Sequence, residues 1–524
     1  MPDLPLRSGP GRWILLATVL GSGIALLDST VVNVALPALA RDLHADIAGL
    51  QWTVNAYTLT LAGFILLGGS LGDRFGRRRV FLIGVVWFAA ASVLCGVAPN
   101  IETLIVSRAL QGVGGALLTP GSLAIIQASF APDDRPRAVG AWSGFGGVAA
   151  AIGPFAGGWL VEAAGWRWVF LLNVPLSVVV VLVTLRHVPE SVDPDAHGRF
   201  DVLGAVLAAL ALAGTTYALT EAPGGGAAPP VLGTAAVLGL AAAVAFVLLE
   251  RARGRGRRLP GARPGRGAPQ PMLPLGVFAS RQFSAVNVVT FVMYAGMGVM
   301  FFLVVVNLQV VSGFSPIAAG TALLPVTVLM LLLSARAGAL AQKIGPRLPM
   351  TVGLVVAACG MLLVGRLGEG ASYVRDVLPA VVVFGLGLSA VVAPLTATVL
   401  ATADVRHAGV ASGVNNAVAR AAGLLAVAAI PPLAGLTGDA FDDPAKFSHG
   451  FWISMATCAA LLAAGAVLSF LTVRDDALRT PAGGMVEPEC RSHCAVGAPP
   501  LQPEPETVPS AGPAGSAPPP GGRG

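Results

Sequence analysis

Charged residues are scarce in this sequence, in which Asp, Glu, Lys and Arg make up 11% of the chain. Hydrophobic residues make up 55%, and the mean hydropathy is +0.76. Soluble domains carry about 25% charged residues, so the composition excludes an ordinary soluble enzyme or binding domain. The chain also lacks the Gly-x-x-x-x-Gly-Lys-Ser/Thr segment of a P-loop, which excludes direct use of ATP at such a site.

Cysteine is rare as well, with five residues that carry little information. Cys95, Cys359 and Cys458 lie in apolar segments, where cysteine is a small packing residue. Cys490 and Cys494 flank His493 near the C-terminus, but two Cys and one His are too few ligands to predict a metal site. We therefore expect neither a metal nor a cofactor.

Long apolar segments fill most of the chain. A bilayer core about 30 Å thick requires about 20 apolar residues per helix, and a strand cannot satisfy its backbone groups alone in lipid. The sequence therefore predicts an all-α integral membrane protein with fourteen transmembrane helices. These lie near Trp13–Leu36, Leu50–Leu71, Val80–Ala98, Leu104–Ile126, Ala138–Val161, Trp168–Leu185, Val202–Leu219, Val231–Leu249, Phe283–Asn307, Ile317–Leu340, Pro349–Leu367, Val377–Ala401, Val410–Leu433 and Phe451–Leu471.

Positive charge is concentrated on one side of these spans. With the N-terminus inside, 23 of the Lys and Arg residues up to Arg479 lie in the inner loops and ends, against five in the outer loops. This asymmetry follows the positive-inside rule and predicts a multi-pass protein of the plasma membrane with both termini cytoplasmic. It also accounts for the net charge of +6 without nucleic acid as a partner.

An internal repeat divides the chain. Gly69, Leu71, Gly76 and Arg78 follow the second span, and the same residue types recur 269 positions later, after the tenth, as Gly338, Leu340, Gly345 and Arg347. Two related halves of six helices, plus two extra central helices, explain this offset. The predicted parts are a lead 1–11, a first half 12–186, the extra helices 187–250, an Arg/Gly/Pro-rich linker 251–282, a second half 283–473 and a disordered tail 474–524.

The loop after the second span combines glycines, an acid and arginines. Its glycines permit a tight turn, and its acid and arginines are predicted to form a gate between the halves at the cytoplasmic side. The alternative is a simple positive-inside anchor, which leaves the glycines and the acid unexplained. The residues of this gating motif are Gly69, Gly72, Asp73, Arg74, Gly76, Arg77 and Arg78.

One carboxylate, Asp28, lies well inside a span. An unpaired carboxylate in hydrocarbon is costly, so Asp28 is expected to face a cavity or a partner and to exchange protons; a purely structural hydrogen-bonding role is the alternative. Arg108 and Arg420 are the main intramembrane cations, and Arg420 is predicted either to meet cargo or to stabilise packing. The candidate cargo-lining residues, which could equally join helices by hydrogen bonds, are Asn33, Asn55, Gln111, Asn287, Asn415 and Arg420.

Several segments together resemble a known family. The gating motif is similar to the signature of the major facilitator superfamily. Five further segments resemble the 14-span drug:proton antiporters of that superfamily. They are Leu27–Pro37, Gln51–Leu59, Arg108–Ala116, Trp166–Pro175 and an antiporter motif at Gly153, Pro154, Gly157 and Gly158, in which Ala149 replaces the usual leading glycine. The resemblance extends from residue 12 to about residue 475 and implies that Arg108 takes part in proton transfer.

The resemblance implies an exporter of drugs, antibiotics or related amphipathic molecules that is driven by the proton-motive force. Its partners are then small-molecule cargo, protons and the lipid bilayer, and we expect a monomer that is not an enzyme. The alternatives are a proton-coupled lipid exporter or metabolite importer on the same fold, or a polytopic membrane transferase. A transferase requires several acids, or a His/Asp pair, converging at one membrane face, and the sequence offers none.

Overall fold

The computed structural model describes residues 4–131, 134–192, 201–222, 228–254, 275–401, 408–441, 443–476 and 478. Residues 255–274 of the predicted linker, most of the predicted tail and the Cys490, His493 and Cys494 group lie outside this range. The described chain is built from helices, which are α1 Gly9–Leu43, α2 Ile47–Phe75, α3 Arg77–Gly96, α4 Ile101–Ser129, α5 Arg135–Ala163, α6 Arg167–Leu171, α7 Asn173–His187, α8 Val202–Glu221, α9 Pro229–Gly254, α10 Arg281–Val310, α11 Pro316–Thr321, α12 Leu324–Ile344, α13 Arg347–Val364, α14 Leu378–Ala401, α15 Ala408–Leu433 and α16 Pro444–Thr472.

Polar residues at helix starts explain where several of these helices begin. An Asp, Asn or Ser side chain accepts a hydrogen bond from a backbone N–H of the first turn, which satisfies a donor that the helix itself leaves free. The residues that do so are Ser8, Asp46, Asn100, Asp201, Ser280, Ser315 and Asp443. Short polar loops therefore separate the long apolar helices, as a multi-pass membrane protein requires.

Each of the fourteen predicted spans overlaps one of these helices, with α6 and α7 sharing one span and α11 and α12 another. Among the described residues, twelve helices or joined helix pairs are long and apolar enough to cross a membrane. The helix α2, whose two parts meet at a bend of 48°, is a thirteenth if it is taken as one span. The predicted count of fourteen is therefore not confirmed, although the all-helical membrane architecture is.

The helix ends lie on two faces of the molecule. We call the face where α1 begins and α2 ends the basic face, and the face where α1 ends and α2 begins the opposite face. At the basic face, Leu4 pairs with Phe130 at the end of α4, and the N–H of Leu6 donates to Asp134 Oδ2 (2.9 Å). This hydrogen bond holds the pKa of Asp134 below its usual range.

The repeat seen in the sequence is also present in the backbone. Gly76 ends α2 with φ +112°, and Gly345 ends α12 with φ +94°, a region that favours glycine. A Cβ on Gly76 would lie 2.6 Å from Glu190, and one on Gly345 would lie 2.5 Å from Asp475. In each half, an acid that follows the last helix therefore lies against the equivalent glycine turn.

Two apolar cores show where the halves meet. The larger core joins the part of α1 from Val31 to Ala40 with residues of α10, α11 and α14. The smaller core packs the part of α1 from Ile14 to Ala25 with residues of α2, α3, α4 and α7, all in the first half. The described apolar packing between the halves is thus centred on the opposite face.

Candidate functional site

Asp28 is fully buried in the middle of α1, and its partner is Arg108 on α4, whose side chain is 1% exposed. Arg108 Nη1 donates to Asp28 Oδ2 at 2.6 Å. The expectation that this acid needs a partner is met by a direct ion pair. Buried pairs of this kind are rare because removing two charges from water is costly, so they need further hydrogen bonds.

Those further hydrogen bonds come from three polar side chains. Asp28 Oδ1 accepts from Gln111 Nε2 (2.9 Å) and from Asn173 Nδ2 (2.8 Å). Both amides also contact Ser92 Oγ, at 2.7 Å and 3.3 Å respectively. Every recorded partner of the Asp28 carboxylate is a donor, so this arrangement suits the ionised form.

Arg108 is held from several sides. Its Nε donates to the carbonyl of Thr53 (3.0 Å), and its Nη1 also donates to Gln111 Oε1 (2.6 Å). The guanidinium lies over the ring of Tyr57, 4.4 Å from its centroid. We call Asp28, Arg108, Gln111, Asn173 and Ser92 the buried polar cluster. Together with Thr53 and Tyr57, its residues come from α1, α2, α3, α4 and α7.

The predicted cargo-lining residues do not share one location. Gln111 lies in the buried polar cluster. Asn415 on α15 donates to Asn287 Oδ1 (3.2 Å) and Thr290 Oγ1 (2.7 Å) on α10, so these residues join two helices of the second half. Asn55 Nδ2 is buried and has no partner.

Arg420 on α15 is an intramembrane cation for which no ion pair is recorded among the described residues. Its Nε is buried and has no hydrogen-bond partner. The phenol groups of Tyr57 on α2 and Tyr294 on α10 are close enough to interact with it electrostatically. Arg420 therefore lies where the two halves face each other.

Asn33 lines a cavity of about 730 Å³ between the halves. We call it the α5–α12 cavity. Its walls come from α1, α5, α10 and α12 and include Pro154 of the antiporter motif. The described lining residues are Ser29, Thr30, Asn33, Val34, Val148, Ile152, Pro154, Met297, Phe301, Val305, Leu323, Leu324, Val326, Thr327, Val328, Met330, Leu331 and Ser334.

Hydrogen bonds join the two halves at the opposite face. Gln51 Nε2 at the start of α2 donates to the carbonyl of Val427 on α15 (2.7 Å). Gln309 Nε2 on α10 donates to the carbonyl of Val34 on α1 (3.0 Å). Together with the shared apolar core, these contacts hold the opposite face closed.

Comparison with known proteins decides the family. The family model of the Major Facilitator Superfamily matches residues 18–202 and 200–427. This chain belongs to the major facilitator superfamily. It is 35% identical over 445 residues to the tetracenomycin C resistance and export protein of Streptomyces glaucescens, covering 84% of this chain and 79% of the relative. It is 34% identical over 481 residues to the puromycin resistance protein of Streptomyces alboniger, covering 88% and 92%.

Solved structures share the fold at low sequence identity. A bacterial homologue of the human lysosomal transporter Spinster, in an inward-facing and occupied conformation, matches with a TM-score of 0.61 at 16% identity, covering 91% of this chain and 100% of that one. A POT family transporter in complex with 5-aminolevulinic acid matches with a TM-score of 0.65 at 11% identity, covering 91% and 99%. The major facilitator fold therefore applies to nearly the whole chain.

In this major facilitator protein, the gating motif is organised by an acid that the sequence analysis missed. Asp73 pairs within its own loop with Arg77 (2.8 Å), four residues later. Glu190, which follows α7, accepts from the backbone N–H of Arg78 at the start of α3 (3.1 Å) and lies 3.5 Å from Arg79. An acid directly after an apolar span was the available signal for Glu190.

The antiporter motif of this major facilitator protein lies at a close helix contact. Gly153 and Gly157 face Thr30 and Val31 on α1, and Gly158 faces α11, where an added Cβ would lie 2.5 Å from the Cα of Ile317. Each of these positions lacks room for a side chain. The glycines therefore allow α5 to pack directly on α1 and on α11.

Glu162 strengthens the same contact between the halves. Near the end of α5, its Oε1 accepts from the backbone N–H of Ile317 in the first turn of α11 (2.9 Å). A carboxylate at a helix N-terminus satisfies a free donor and matches the positive end of the helix dipole. This contact also lies at the opposite face.

Proposed function

We propose that this protein exports drugs, antibiotics or related amphipathic molecules across the plasma membrane in exchange for protons, and that Asp28 and Arg108 form its proton-coupling site. The buried Asp28–Arg108 pair carries this proposal. The named resistance and export activities of the Streptomyces relatives support export of this kind of cargo. A multidrug resistance protein of Mycobacterium tuberculosis, 34% identical over 77% of this chain, supports it as well.

The charge of the loops supports an orientation. The basic face carries the excess of Arg and Lys, so it is the cytoplasmic face, and both termini lie there. The closed opposite face is then the outside. With that orientation the structure corresponds to a state that is closed to the outside and in which cargo arrives from the cytoplasmic side.

Protonation of Asp28 gives the coupling step. A neutral Asp28 carboxyl loses its charge attraction to Arg108. Its added proton has no recorded acceptor, because every recorded partner of the carboxyl already donates a hydrogen. The buried polar cluster must therefore rearrange, and because it includes residues of α1, α3, α4 and α7, the rearrangement alters how these helices pack. Proton binding can in this way favour one of two states of the transporter.

The other predicted residues take supporting roles in this proposal. The gating motif, with Glu190, stabilises one state at the cytoplasmic face. The antiporter motif seals the contact of α5 with α1 and α11 against proton leak. Asn33 and Arg420 face the region between the halves, where they contact cargo, and the unpartnered Asn55 stays a candidate for the same role. Gln111, Asn287 and Asn415 act mainly by holding helices. The transporter works as a monomer, because each half supplies one wall of the path.

Transport in proteoliposomes tests the proposal. Addition of puromycin or ethidium to the wild-type protein should produce proton flux in the opposite direction, measured with an internal pH dye. Asp28→Asn should abolish this flux, because the amide cannot exchange a proton. The matched control is Asp42→Asn, which changes an exposed acid at the C-terminal end of the same helix and should retain the flux.

Two outcomes would contradict the proposal in different ways. Full proton flux in a well-folded Asp28→Asn protein would remove Asp28 as the coupling site while leaving export intact. Absence of flux with a panel of amphipathic cargos in the wild-type protein would instead contradict proton-coupled export.

A further inference from the structure

We propose that the rings of Tyr57 and Phe170 are positioning groups for proton coupling, which hold the Arg108 guanidinium when Asp28 is protonated and so favour uptake of a proton by Asp28. The inference rests on the proposed proton-coupling site and adds two aromatic residues to it.

The Arg108 guanidinium lies over two aromatic rings. Its central carbon, Cζ, is 4.4 Å from the centroid of the Tyr57 ring on α2 and 5.7 Å from the centroid of the Phe170 ring on α6. Both distances are within the roughly 6 Å at which a cation is attracted to the negative face of an aromatic ring. Tyr57 is 2% exposed and Phe170 is fully buried. Because water is excluded here, the attraction is stronger than it would be at an exposed site.

Protonation of Asp28 leaves the charge of Arg108 in place. An arginine stays protonated in proteins, so the guanidinium would then be a buried cation without its counter-charge. The carbonyl of Thr53 and Gln111 Oε1 remain as neutral acceptors for it. The negative faces of the two rings are a further electrostatic partner, and their charge distribution does not change with the proton.

The rings therefore stabilise the protonated state more than the ionised state. With Asp28 ionised, Arg108 Nη1 is held 2.6 Å from Oδ2, and the nearby carboxylate is repelled by the negative face of Tyr57, with which it interacts electrostatically. With Asp28 neutral, this repulsion is lost and the guanidinium is free to move closer to the rings. Removal of a ring should thus raise the free energy of the protonated state more than that of the ionised state.

Contacts outside the buried polar cluster keep both rings in place. The Tyr57 hydroxyl donates to the carbonyl of Ala25 on α1 (3.3 Å), and its ring packs at 80° to that of Phe88 on α3, with the centroids 6.4 Å apart. Phe170 packs at 89° to Trp166, with the centroids 6.1 Å apart. Such edge-to-face pairs are a favourable arrangement of aromatic rings. Both rings should therefore keep their positions when the charge of the carboxylate changes.

Further ionisable groups face this arrangement from other helices. Arg420 on α15 interacts electrostatically with Tyr57 and with Tyr294 on α10. Cys95 on α3 interacts electrostatically with both members of the ion pair. Arg420 adds a positive charge, which opposes uptake of a proton by Asp28. These groups are kept unchanged in the variants of the experiment, so that a difference between variants reports the ring alone.

Infrared titration of the purified protein in nanodiscs tests the inference without any cargo. The absorption of protonated carboxyl groups is followed against pH, and the part due to Asp28 is found by subtracting the titration of Asp28→Asn. Tyr57→Leu should move the midpoint of this signal at least about one unit to lower pH, which corresponds to about 1.4 kcal/mol. Tyr57→Phe keeps the ring and should titrate within about 0.3 units of the wild type.

Further variants separate the charge of the ring face from packing. Phe170→Leu should give a smaller shift in the same direction, because this ring lies farther from the guanidinium. The matched control is Phe88→Leu, which removes a fully buried ring that packs on Tyr57, and it should leave the midpoint unchanged. Replacement of Tyr57 by phenylalanine analogues of increasing fluorine content makes the ring face less negative at nearly constant size, so the midpoint should fall step by step.

Several results would overturn the inference. They are an unchanged midpoint in Tyr57→Leu, an equal shift in Phe88→Leu or in Tyr57→Phe, and a constant midpoint along the fluorinated series. If Tyr57→Leu does not fold, Phe170→Leu and the fluorinated series decide in its place. If the titration of Asp28→Asn equals that of the wild type, the coupling site and the inference fail together.

Proton flux in proteoliposomes separates the inference from the export function. With puromycin or ethidium as cargo, Tyr57→Leu should move the half-maximal flux about one unit to lower pH, and Phe88→Leu should not move it. A flux profile of Tyr57→Leu equal to that of the wild type would overturn the role of the ring in coupling. If the wild-type protein gives no flux with any cargo, the proposed export function fails, and the infrared titration still decides whether the rings favour uptake of a proton by Asp28.

Discussion

At the residue scale, the environment of Asp28 explains why a charge is stable in the middle of a membrane helix. One carboxylate oxygen accepts a hydrogen bond from the Arg108 guanidinium, and the other accepts hydrogen bonds from two side-chain amides, all at 2.9 Å or less. Such surroundings stabilise the anion and offer no acceptor to a carboxyl proton. In the proposed mechanism, protonation of Asp28 would therefore require its neighbours to move.

This arrangement predicts a stability effect for Asp28→Asn. The amide NH₂ would face donors, and Arg108 would remain buried without a counter-charge, which costs about 3–5 kcal/mol. We expect a markedly lower melting temperature in detergent than for the wild type. The double variant Asp28→Asn/Arg108→Gln removes both charges and should recover much of the loss, while transport remains absent. A double variant less stable than the single one would show that the ion pair is not the reason.

For Arg420 we expect the opposite effect on stability, since removing its charge should stabilise the protein. Its buried Nε lacks a partner, and an unsatisfied buried donor costs about 1–3 kcal/mol, so Arg420→Met should raise the melting temperature. If Arg420 contacts cargo, the same variant should export anionic cargos less well while neutral cargos are little affected. The control is Arg336→Met on α12, where the side chain is exposed and bonds only to the carbonyl of Leu332. A drop in stability without a change in cargo preference would instead assign Arg420 to packing.

The sequence predicted that Asp28 needs a partner or a cavity, but it did not predict which residues surround it. An acid within an apolar span is informative by itself, because hydrocarbon does not tolerate it, and this identified Asp28. The contribution of Ser92 and Asn173 depends on how α3 and α7 are rotated toward α1, which a single sequence does not contain. The same holds for Glu190, whose partner Arg78 is 112 residues away in the chain.

At the element scale, the contact of α5 with α11 depends on the absence of side chains. The α5 and α11 backbones meet at Gly158 and Gly320, and Glu162 fixes the end of α5 to the start of α11. A contact of this kind is made or lost as a unit when the halves separate. The structure shows this close packing at the glycines of the antiporter motif.

Gly158→Val tests this element. The valine would collide with the α11 backbone, so closure of the opposite face should be weakened, and we expect cargo-driven export to fall at least about tenfold and uncoupled proton leak to rise. The control is Gly140→Val on the same helix, where an added Cβ meets nothing within 4 Å. Both rates are measured in proteoliposomes with a pH dye. Normal export with no leak in Gly158→Val would show that the contact does not seal the outside.

At the scale of the whole molecule, hydropathy and charge fixed the general architecture in advance, because bilayer thickness and loop charge act on every span alike. The predicted number of spans is not confirmed, since the described residues support twelve, or thirteen when the bent α2 is included. The breaks that divide α6 from α7 and α11 from α12 were not predicted, because both lie inside apolar stretches. The packing of α8 against both halves also required the structure.

If Asp28, which is buried in the middle of α1, is the proton carrier, it limits what the whole transporter can do. One proton moving inward gains roughly 2.3 kcal/mol per 100 mV, and each pH unit adds about 1.4 kcal/mol. With one proton per cycle, a neutral cargo can be concentrated outward roughly 10²–10³-fold at 100 mV and one pH unit. A monovalent cation exchanged for one proton moves no net charge, so only the pH difference acts and the limit is about tenfold. Dications should be poor cargos, because their exit opposes the potential.

Proteoliposomes in which the potential and the pH difference are set separately distinguish these cases. Export of a neutral cargo should respond to both, and export of a monovalent cation should respond to the pH difference alone. Export of a dication that the potential does not oppose would require at least two protons per cycle, and export driven by the potential would require at least three. Glu162 and Glu221 would then be the next carboxylates to test, although in this structure Glu162 accepts from the N–H of Ile317 and Glu221 accepts from Trp52. Because both acids already serve as acceptors in contacts between helices, a second proton on either one would weaken that contact, and its uptake would have to coincide with a change in packing at the opposite face.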